Sequence, residues 1–302
     1  MHGLPDSIQV FERGWLSSNN ILLLGRHDTA LIDSGYLTHA PQTLALVRHA
    51  LHGRHLDRLI NTHLHSDHCG GNAILQAHYG CDTAIPAAEA DKVRHWDVDA
   101  LSFKATGQQC ERFSFDSTVA CGDVLTLADM EWRALGAPGH DPHSLIFYCP
   151  EHRVLASADA LWENGFGVIF PELDGESGFA EERATLDLIE SLDVRLVIPG
   201  HGAPFTDVPG ALARARSRVA YLEADPVRNA QNAIKVLLKF LLLERQRIAL
   251  AEVPDMLLSM PVFATANARY LRQTPDALAQ WAVGQLVRGG AAHIESEYLL
   301  ND

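Results

Sequence analysis

The sequence predicts an α/β protein in which β-sheets are flanked by helices, followed by a mostly helical C-terminal region. Two observations support this prediction. Up to about residue 206, short apolar runs typical of buried strands alternate with helical patterns, and such alternation favours sheets covered by helices. From Pro209 onward, dense aliphatic positions at helical spacing replace the strand-like runs.

The individual elements follow from these patterns. Strands are predicted for residues 21–24, 30–32, 58–60, 124–127, 144–148 and 194–198. Helices between them are predicted for residues 40–51, 72–78 and 181–192. In the C-terminal region, helical patterns occupy residues 211–223, 229–244, 250–256, 267–271 and 275–288, and residues 291–298 are expected to form a short strand pair.

Residues 61–71, with the sequence NTHLHSDHCGG, place three imidazoles and one carboxylate within six positions. His63 and His65 are two residues apart, so an extended chain points both to the same side. Asp67 and His68 follow where a polar turn should pass into the next helix, and the two glycines allow that turn to be tight. Because imidazole and carboxylate ligands suit zinc or iron, the segment predicts a metal site.

This segment matches the pattern His-x-His-x-Asp-His, and the chain therefore resembles the metallo-β-lactamase superfamily. Three later segments occur in the order that the family uses. His140 ends a Gly-Ala-Pro-Gly-His loop, Asp159 ends a strand-like run, and His201 lies between two glycines after another. Asp33 ends an early strand, like the aspartate that supports the site in the family. The resemblance covers roughly residues 8–205.

The resemblance implies two metal ions, taken as zinc, with iron or manganese also compatible. Carried over residue by residue, one ion would be held by His63, His65 and His140, and the other by Asp67, His68 and His201, with Asp159 bridging them. The ligand set is then complete, so other histidines such as His143 are expected to lie outside it. Cys69, next to His68, is expected to be a small buried spacer.

The resemblance also implies a four-layer αββα sandwich. Residues 1–208 would form the metallo-β-lactamase-fold catalytic domain, and residues 209–302 a helical C-terminal region. Three helices followed by a short strand pair resemble the small winged-helix-like appendage of some members. Its charge is near neutral, so it is interpreted as a lid, a pocket wall or the contact of a homodimer in preference to a DNA reader.

The implied function is a dinuclear metal-dependent hydrolase that cleaves a thioester, ester or lactone through a metal-bridging hydroxide. Asp67 would be the catalytic residue that orients the hydroxide and takes its proton. The motifs resemble the glyoxalase II-like thioesterase and lactonase branches most. Asp159 and His201 are 201 minus 159, or 42, positions apart, which leaves no room for the extra domain of nucleic-acid-cutting members. The Gly-punctuated loop 160–170 is equally compatible with a substrate wall and with core packing.

Three alternatives stay open at this point. The first is a mononuclear iron enzyme of the sulfur dioxygenase type, using His63, His65 and His140. The second is a phosphodiesterase, because the ligand set alone does not select the bond that is cleaved. The third is a non-catalytic binding protein, which an intact ligand set disfavours.

Composition bears on partners and location. The chain has 38 acidic and 24 basic residues, a net charge of −14. This charge disfavours nucleic acids and anionic membranes as partners, so a small-molecule substrate is expected. The five cysteines lack paired spacing, as expected for free thiols in a reducing compartment. Neither a signal-peptide pattern nor an apolar run of about 20 residues occurs. A cytoplasmic protein is therefore expected.

Overall fold

The computed structural model describes residues 3–302, and two β-sheets lie face to face at its centre. The first sheet has six strands in chain order: β1 (Ile8–Phe11), β2 (Asn20–Leu24), β3 (Thr29–Ile32), β4 (Arg58–Ile60), β5 (Asp82–Pro86) and β6 (Ser117–Val119). Strands β1 to β3 pair antiparallel, and β3 to β6 pair parallel.

The second sheet has five strands: β7 (Val124–Leu127), β8 (Met130–Gly136), β9 (Leu145–Cys149), β10 (Val154–Ala158) and β11 (Leu196–Pro199). Their spatial order is β11-β10-β9-β8-β7. The β10–β11 pair is parallel, and the other pairs of this sheet are antiparallel. Strands β8, β10 and β11 therefore run in the same direction, and their carboxyl ends meet at one edge.

Alternation of side chains along the strands separates an inner face from an outer face. Leu23 belongs to the buried cluster between the sheets, together with Trp132 and Phe147 of the second sheet. Its neighbour Leu22 belongs to the outer cluster that the helices cover. Each such side chain that is fully removed from water contributes about 1.5–3 kcal/mol to folding.

Helices cover both outer faces. On the first sheet lie α1 (Ala40–Leu51) and α3 (Asn72–Tyr79), and on the second α7 (Phe179–Ser191) and α8 (Val208–Glu223). The order is helix, sheet, sheet, helix, so the predicted four-layer αββα sandwich is confirmed. Short helices lie in the connecting loops: α2 (Ser66–Cys69), α4 (Ala90–His95), α5 (Phe103–Thr106) and α6 (Pro171–Asp174).

The C-terminal region has its own buried cluster, which includes Leu238, Leu257, Phe263 and Leu278. Its helices are α9 (Pro226–Arg245), α10 (Val253–Ser259), α11 (Pro261–Ala266) and α12 (Pro275–Arg288). A three-stranded sheet follows in the order β12 (Arg247–Ala249), β14 (Tyr298–Asn301) and β13 (Ala292–Glu295). A strand pair is present as expected, but its second strand begins at Tyr298, where the predicted range ends, and the three-residue strand β12 adds to it.

Helix boundaries in this region follow from capping. The side chain of Asp225 accepts a hydrogen bond from the amide of Val227 at 3.1 Å, and a proline begins α9. Thr274 caps α12 in the same way, again before a proline. A short polar N-cap followed by proline is a strong helix start. No helix among residues 3–302 is long and apolar enough to cross a membrane.

The predicted division at residues 208 and 209 stays a prediction. Helix α8, which begins there, belongs to the cluster that covers the second sheet, through residues such as Ala211 and Leu212. Helix α9 contacts both parts, since its Ala230 and Ala233 pack with Val168 of the sandwich.

Candidate metal centre

The seven candidate ligands lie in loops that follow four strands, at the edge where those strands end. The loop after β4 carries four of them, and the loops after β8, β10 and β11 carry one each. The carboxyl ends of strands in such a fold converge, so residues far apart in sequence meet. They form a first group, His63, His65 and His140, and a second group, Asp67, His68, Asp159 and His201.

The first group is built from three imidazoles whose nitrogens converge. Nδ1 of His65 lies 3.1 Å from Nε2 of His63 and 2.8 Å from Nε2 of His140. Nδ1 of His140 lies 2.6 Å from the carbonyl oxygen of Val168. A carbonyl only accepts, so Nδ1 of His140 carries the proton and Nε2 presents a lone pair.

The second group combines two imidazoles with two carboxylates. His68 is fully buried, and its Nδ1 donates to Oδ2 of Asp33 at 2.7 Å. When this imidazole is neutral, its Nε2 presents a lone pair to the site, and that atom has no hydrogen-bond partner. Nε2 of His201 lies 3.1 Å from Oδ2 of Asp67. A buried lone pair that faces carboxylates is unfavourable unless a cation or a donor lies between them.

Asp159 stands between the two groups and presents one oxygen to each. Its Oδ2 is 3.4 Å from Nε2 of His140 in the first group. Its Oδ1 is 3.4 Å from Nε2 of His68 and 3.8 Å from Nε2 of His201 in the second. A carboxylate in this position would be able to bridge cations held by the two groups.

The electrostatics of the groups suit bound cations. Burial and then the neighbouring imidazoles lower the pKa of His63 well below its usual value, and burial lowers the pKa of His140 to about 4. Both are therefore neutral at neutral pH, the form that binds metals. Burial by itself lowers the pKa of His68. The three surrounding carboxylates have a larger, opposite effect together, so the pKa lies well above its usual value. The second group thus favours positive charge.

Asp33 orients a histidine in each group. It accepts from Nδ1 of His68 directly, and it accepts from the hydroxyl of Thr62 at 2.8 Å. Since that hydroxyl donates to Asp33, its oxygen is free to accept from Nδ1 of His63, which lies 3.1 Å away. In their neutral, metal-binding form both imidazoles would then present an unprotonated Nε2 to the site, as carboxylates behind metal-bound histidines commonly ensure. The sequence indicated Asp33 as a supporting residue, but no pattern in it pointed to Thr62.

Glycines make room for the ligands. A Cβ on Gly167 would lie 2.4 Å from Nδ1 of His140, and one on Gly200 would lie 2.2 Å from Oδ1 of Asp159. The turn at residues 70–71 needs glycine for the same reason. Its two residues have ordinary negative φ angles, but a Cβ on either would lie 2.4 Å from backbone atoms of residues 34–37. Close approach, rather than unusual backbone dihedrals, explains this pair.

Aromatic and aliphatic side chains surround the mouth of the site. The ring of Trp15 stacks on His201 at 5.5 Å with an interplanar angle of 8°. Nε1 of Trp162 donates to Oδ1 of Asp159 at 3.2 Å, and Phe170 packs against both His65 and His140. The cavity is closed on one side by α9 through Val236, Leu237 and Phe240. The loop of residues 160–170 therefore forms a wall of the cavity, and Trp15 is a wall residue that no sequence pattern indicated.

His143 lies outside both groups, as expected, but not far from them. Its Nδ1 contacts the buried Glu89, and these two residues form a third polar group with Asp141. Oδ2 of Asp141 is 3.7 Å from Nε2 of His65. Cys69 is fully buried with its sulfur near backbone carbonyls of residues 64 and 65, which fits the predicted spacer.

Comparison with known proteins agrees with this geometry. The family model of the metallo-beta-lactamase superfamily matches residues 13–201. The chain belongs to this superfamily. All seven candidate ligands lie within the matched range, so the family likeness inferred from the motifs is confirmed, while the individual ligand assignments remain proposals.

Two curated relatives carry the same name. A hydroxyacylglutathione hydrolase from Brucella anthropi is 27% identical over 183 residues, which are 57% of this chain and 59% of that protein. One from Rhizobium etli is 25% identical over 210 residues, 65% of this chain and 68% of that protein. The first match thus spans less than two thirds of the relative's length.

Solved members of the superfamily share the fold. A metallo-beta-lactamase family protein from Thermus thermophilus has a TM-score of 0.58 at 22% identity, covering 99% of this chain and 100% of that one. A second protein, solved in a di-iron-bound form, has a TM-score of 0.56 at 24% identity. This match covers 68% of the present chain and 98% of the second protein. The first likeness extends over the C-terminal region as well as the sandwich.

Proposed function

We propose that the protein is a dinuclear metal-dependent hydrolase that cleaves a thioester, ester or lactone. The position of Asp159, with one oxygen toward each group of ligands, is the observation that carries the proposal. A mononuclear enzyme would need only the first group. A mononuclear site would leave the burial of three further metal-binding side chains around the same cavity, Asp67, His68 and His201, without a function.

The donor set fits two zinc ions, and iron or manganese would also be held by imidazole and carboxylate. Such ions, when bound, supply a hydroxide nucleophile at neutral pH and polarise the substrate carbonyl. The chain's own residues perform the remaining steps. Oδ2 of Asp67 faces His201, which leaves its second oxygen to orient a water and accept its proton. Phe170, Trp162 and Val236 line the cavity beside that position and would limit access of bulk water to a bound substrate.

The choice of a carbonyl substrate is supported by the curated relatives. They are named as hydrolases of hydroxyacylglutathione, an acyl thioester, so the bond class agrees with the motif likeness. A small-molecule substrate suits the confined cavity beside the ligands. Homodimer formation and a cytoplasmic location stay predictions.

The proposal is tested by metal analysis and a substrate panel. Protein purified without added metal should contain two metal ions per chain. It should hydrolyse at least one of a set of acyl thioesters, aryl esters and lactones faster than a phosphodiester such as bis(p-nitrophenyl) phosphate. Fewer than two ions after reconstitution with zinc, iron or manganese would contradict the dinuclear site.

A substitution separates the dinuclear hydrolase from a mononuclear iron enzyme. His201→Ala removes a ligand of the second group only. The dinuclear proposal expects one ion to be lost and kcat to fall at least about 100-fold, because the second ion no longer supports the nucleophile. His152→Ala, in the turn between β9 and β10 at the opposite end of the strands, is the matched control. Full activity of His201→Ala with one iron per chain would favour the mononuclear alternative.

A further inference from the structure

The candidate metal centre opens into a cleft with two lobes that meet at Phe170. His65, His140 and Thr106 also line both lobes. The apolar lobe, of 80 Å³, lies beneath Trp15. The acidic lobe, of 250 Å³, runs over α5 toward α11. A substrate whose carbonyl lies at the metal centre would place one side in each lobe, with the bulkier side in the acidic lobe.

The apolar lobe exposes large hydrophobic side chains next to the ligands. Trp15 is 56% exposed and Val236 is 42% exposed, and both face this cavity with Trp162 and Phe240. Exposed aromatic surface that lines a cavity is typical of a binding site for an apolar group. Apart from the candidate ligands, no charged side chain among the described residues lines this lobe.

The acidic lobe carries an excess of negative charge. Four carboxylates line it: Glu89, Asp141, Asp174 and Glu176. Within residues 3–302, the one lysine or arginine in its lining is Lys92, whose Nζ lies 2.9 Å from Oε1 of Glu89. These two charges compensate each other, and Asp141, Asp174 and Glu176 remain. Arg269 approaches from outside the lining and donates to the main-chain carbonyl of Asp174. The side chains of this lobe therefore disfavour an anionic group placed away from the metal centre.

We infer that the substrate carries an apolar group in the apolar lobe and an uncharged or cationic group in the acidic lobe. This inference rests on the proposed hydrolase function. Glutathione has two carboxylates and one ammonium at neutral pH, so a glutathione thioester brings net negative charge to the acidic lobe. Neutral or cationic esters, lactones and thioesters are the substrates that this cleft fits, in contrast to the compounds for which the curated relatives are named.

The test uses thioesters with one acyl group and thiols of different charge. The metal-loaded full-length protein is assayed with one acyl group attached to glutathione, to neutral N-acetylcysteamine and to cationic thiocholine. The bond and the acyl group stay the same, and N-acetylcysteamine and thiocholine are similar in size, so their kcat/KM values report charge. For the larger glutathione compound, the charge variants below separate charge from size. We expect the neutral and cationic compounds to exceed the glutathione compound at least about tenfold, through KM.

A pair of charge variants locates the effect. In Asp174→Asn/Glu176→Gln, two carboxylates of the acidic lobe become neutral amides, and the ratio of neutral to glutathione thioester should fall at least about threefold. The matched control is Asp82→Asn/Glu151→Gln. It makes the same change in net charge at the start of β5 and in the turn before β10, at the opposite ends of the strands, and should leave the ratio unchanged.

The outcomes separate the two proposals. Turnover of the glutathione thioester equal to or better than that of the neutral one overturns this inference and leaves the hydrolase proposal standing. An equal fall of the ratio in the control variant overturns the assignment to the acidic lobe, because the effect would then come from overall charge. Absence of turnover for all three thioesters and for matched aryl esters and lactones overturns both proposals.

Discussion

Replacing Asp33 with asparagine should impair metal binding while leaving the fold intact. Asp33 is 3% exposed and accepts three hydrogen bonds: from Nδ1 of His68 at 2.7 Å, and from the hydroxyl and the amide of Thr62 at 2.8 and 2.9 Å. Its φ of 59° lies in the left-handed region, which asparagine tolerates better than most residues. The substitution therefore changes charge and hydrogen bonding with little change in shape.

The expected effect acts through the tautomer of His68. The asparagine oxygen can keep the bond to the amide of Thr62, which leaves its NH₂ group facing Nδ1 of His68. Two donors cannot face each other, so His68 moves its proton to Nε2, the atom that faces the second group. Losing the hydrogen-bond partner behind a metal ligand costs roughly 10- to 100-fold in metal affinity, or about 1.4–2.7 kcal/mol.

Asp33→Ala provides the contrast. It leaves the buried amide of Thr62 and Nδ1 of His68 without an acceptor, at roughly 1–3 kcal/mol each. It also places alanine at a left-handed position. The metal-free alanine variant should therefore lose roughly 2–6 kcal/mol of unfolding free energy from these two groups alone, whereas the asparagine variant should lose about 1 kcal/mol.

The measurements are zinc content after dialysis at buffered free zinc, and urea unfolding of the metal-free protein. Asp57→Asn is the matched control. Like Asp33, Asp57 accepts hydrogen bonds from the amide and the hydroxyl of a threonine, here Thr29, and contacts Nδ1 of a histidine, here His55. It lies just before β4, away from the site. If Asp33→Asn binds the second ion as tightly as the parent does, the assigned orientation of His68 is wrong.

Three further predictions follow from the site and the core beneath it. Asp67→Ala should lower kcat at least about 100-fold with the chain still folded, and turnover within about threefold of the parent for the preferred substrate would refute its role. Gly167→Ala should weaken the first group because its Cβ would lie 2.4 Å from His140, whereas Gly14→Ala, which has open space around it, should bind zinc normally by the same dialysis assay. Glu182 is fully buried, neither of its oxygens has a hydrogen-bond partner, and burial raises its pKa well above the usual value. The folded state therefore holds a proton that the unfolded state releases above its carboxyl pKa, and stability falls as pH rises by up to about 1.4 kcal/mol per unit. Glu182→Gln should be more stable than the parent by an amount that grows from about pH 5 to about pH 8 in urea titrations, and a difference independent of pH would contradict the assignment.

The class of fold and the segments that carry the ligands follow from local sequence. Period-two and helical patterns depend on neighbouring residues, so elements such as α1 (Ala40–Leu51) and α12 (Pro275–Arg288) match their predicted bounds. The ligand segments could be identified from the sequence because metal binding needs particular side chains, and these follow strand-like runs. The spacing of His63, His65, Asp67 and His68 is itself local.

How the ligands meet, and what surrounds them, depends on the tertiary structure. Asp159 meets ligands from three other loops only because β10 pairs with β11 and β9 in one sheet, and it directly follows the register shift of β10 against β11 between Ala156 and Ala158. The hydrogen bonds of Asp33 join residues up to 35 positions apart, and Trp15, between β1 and β2, stacks on His201 after β11. Such contacts do not produce a periodic pattern in the sequence, because they form only when packing of the two sheets brings distant loops to one edge. The charge of the cleft is likewise a property of the assembled walls, since α4, α6 and the loop after β8 each contribute to it.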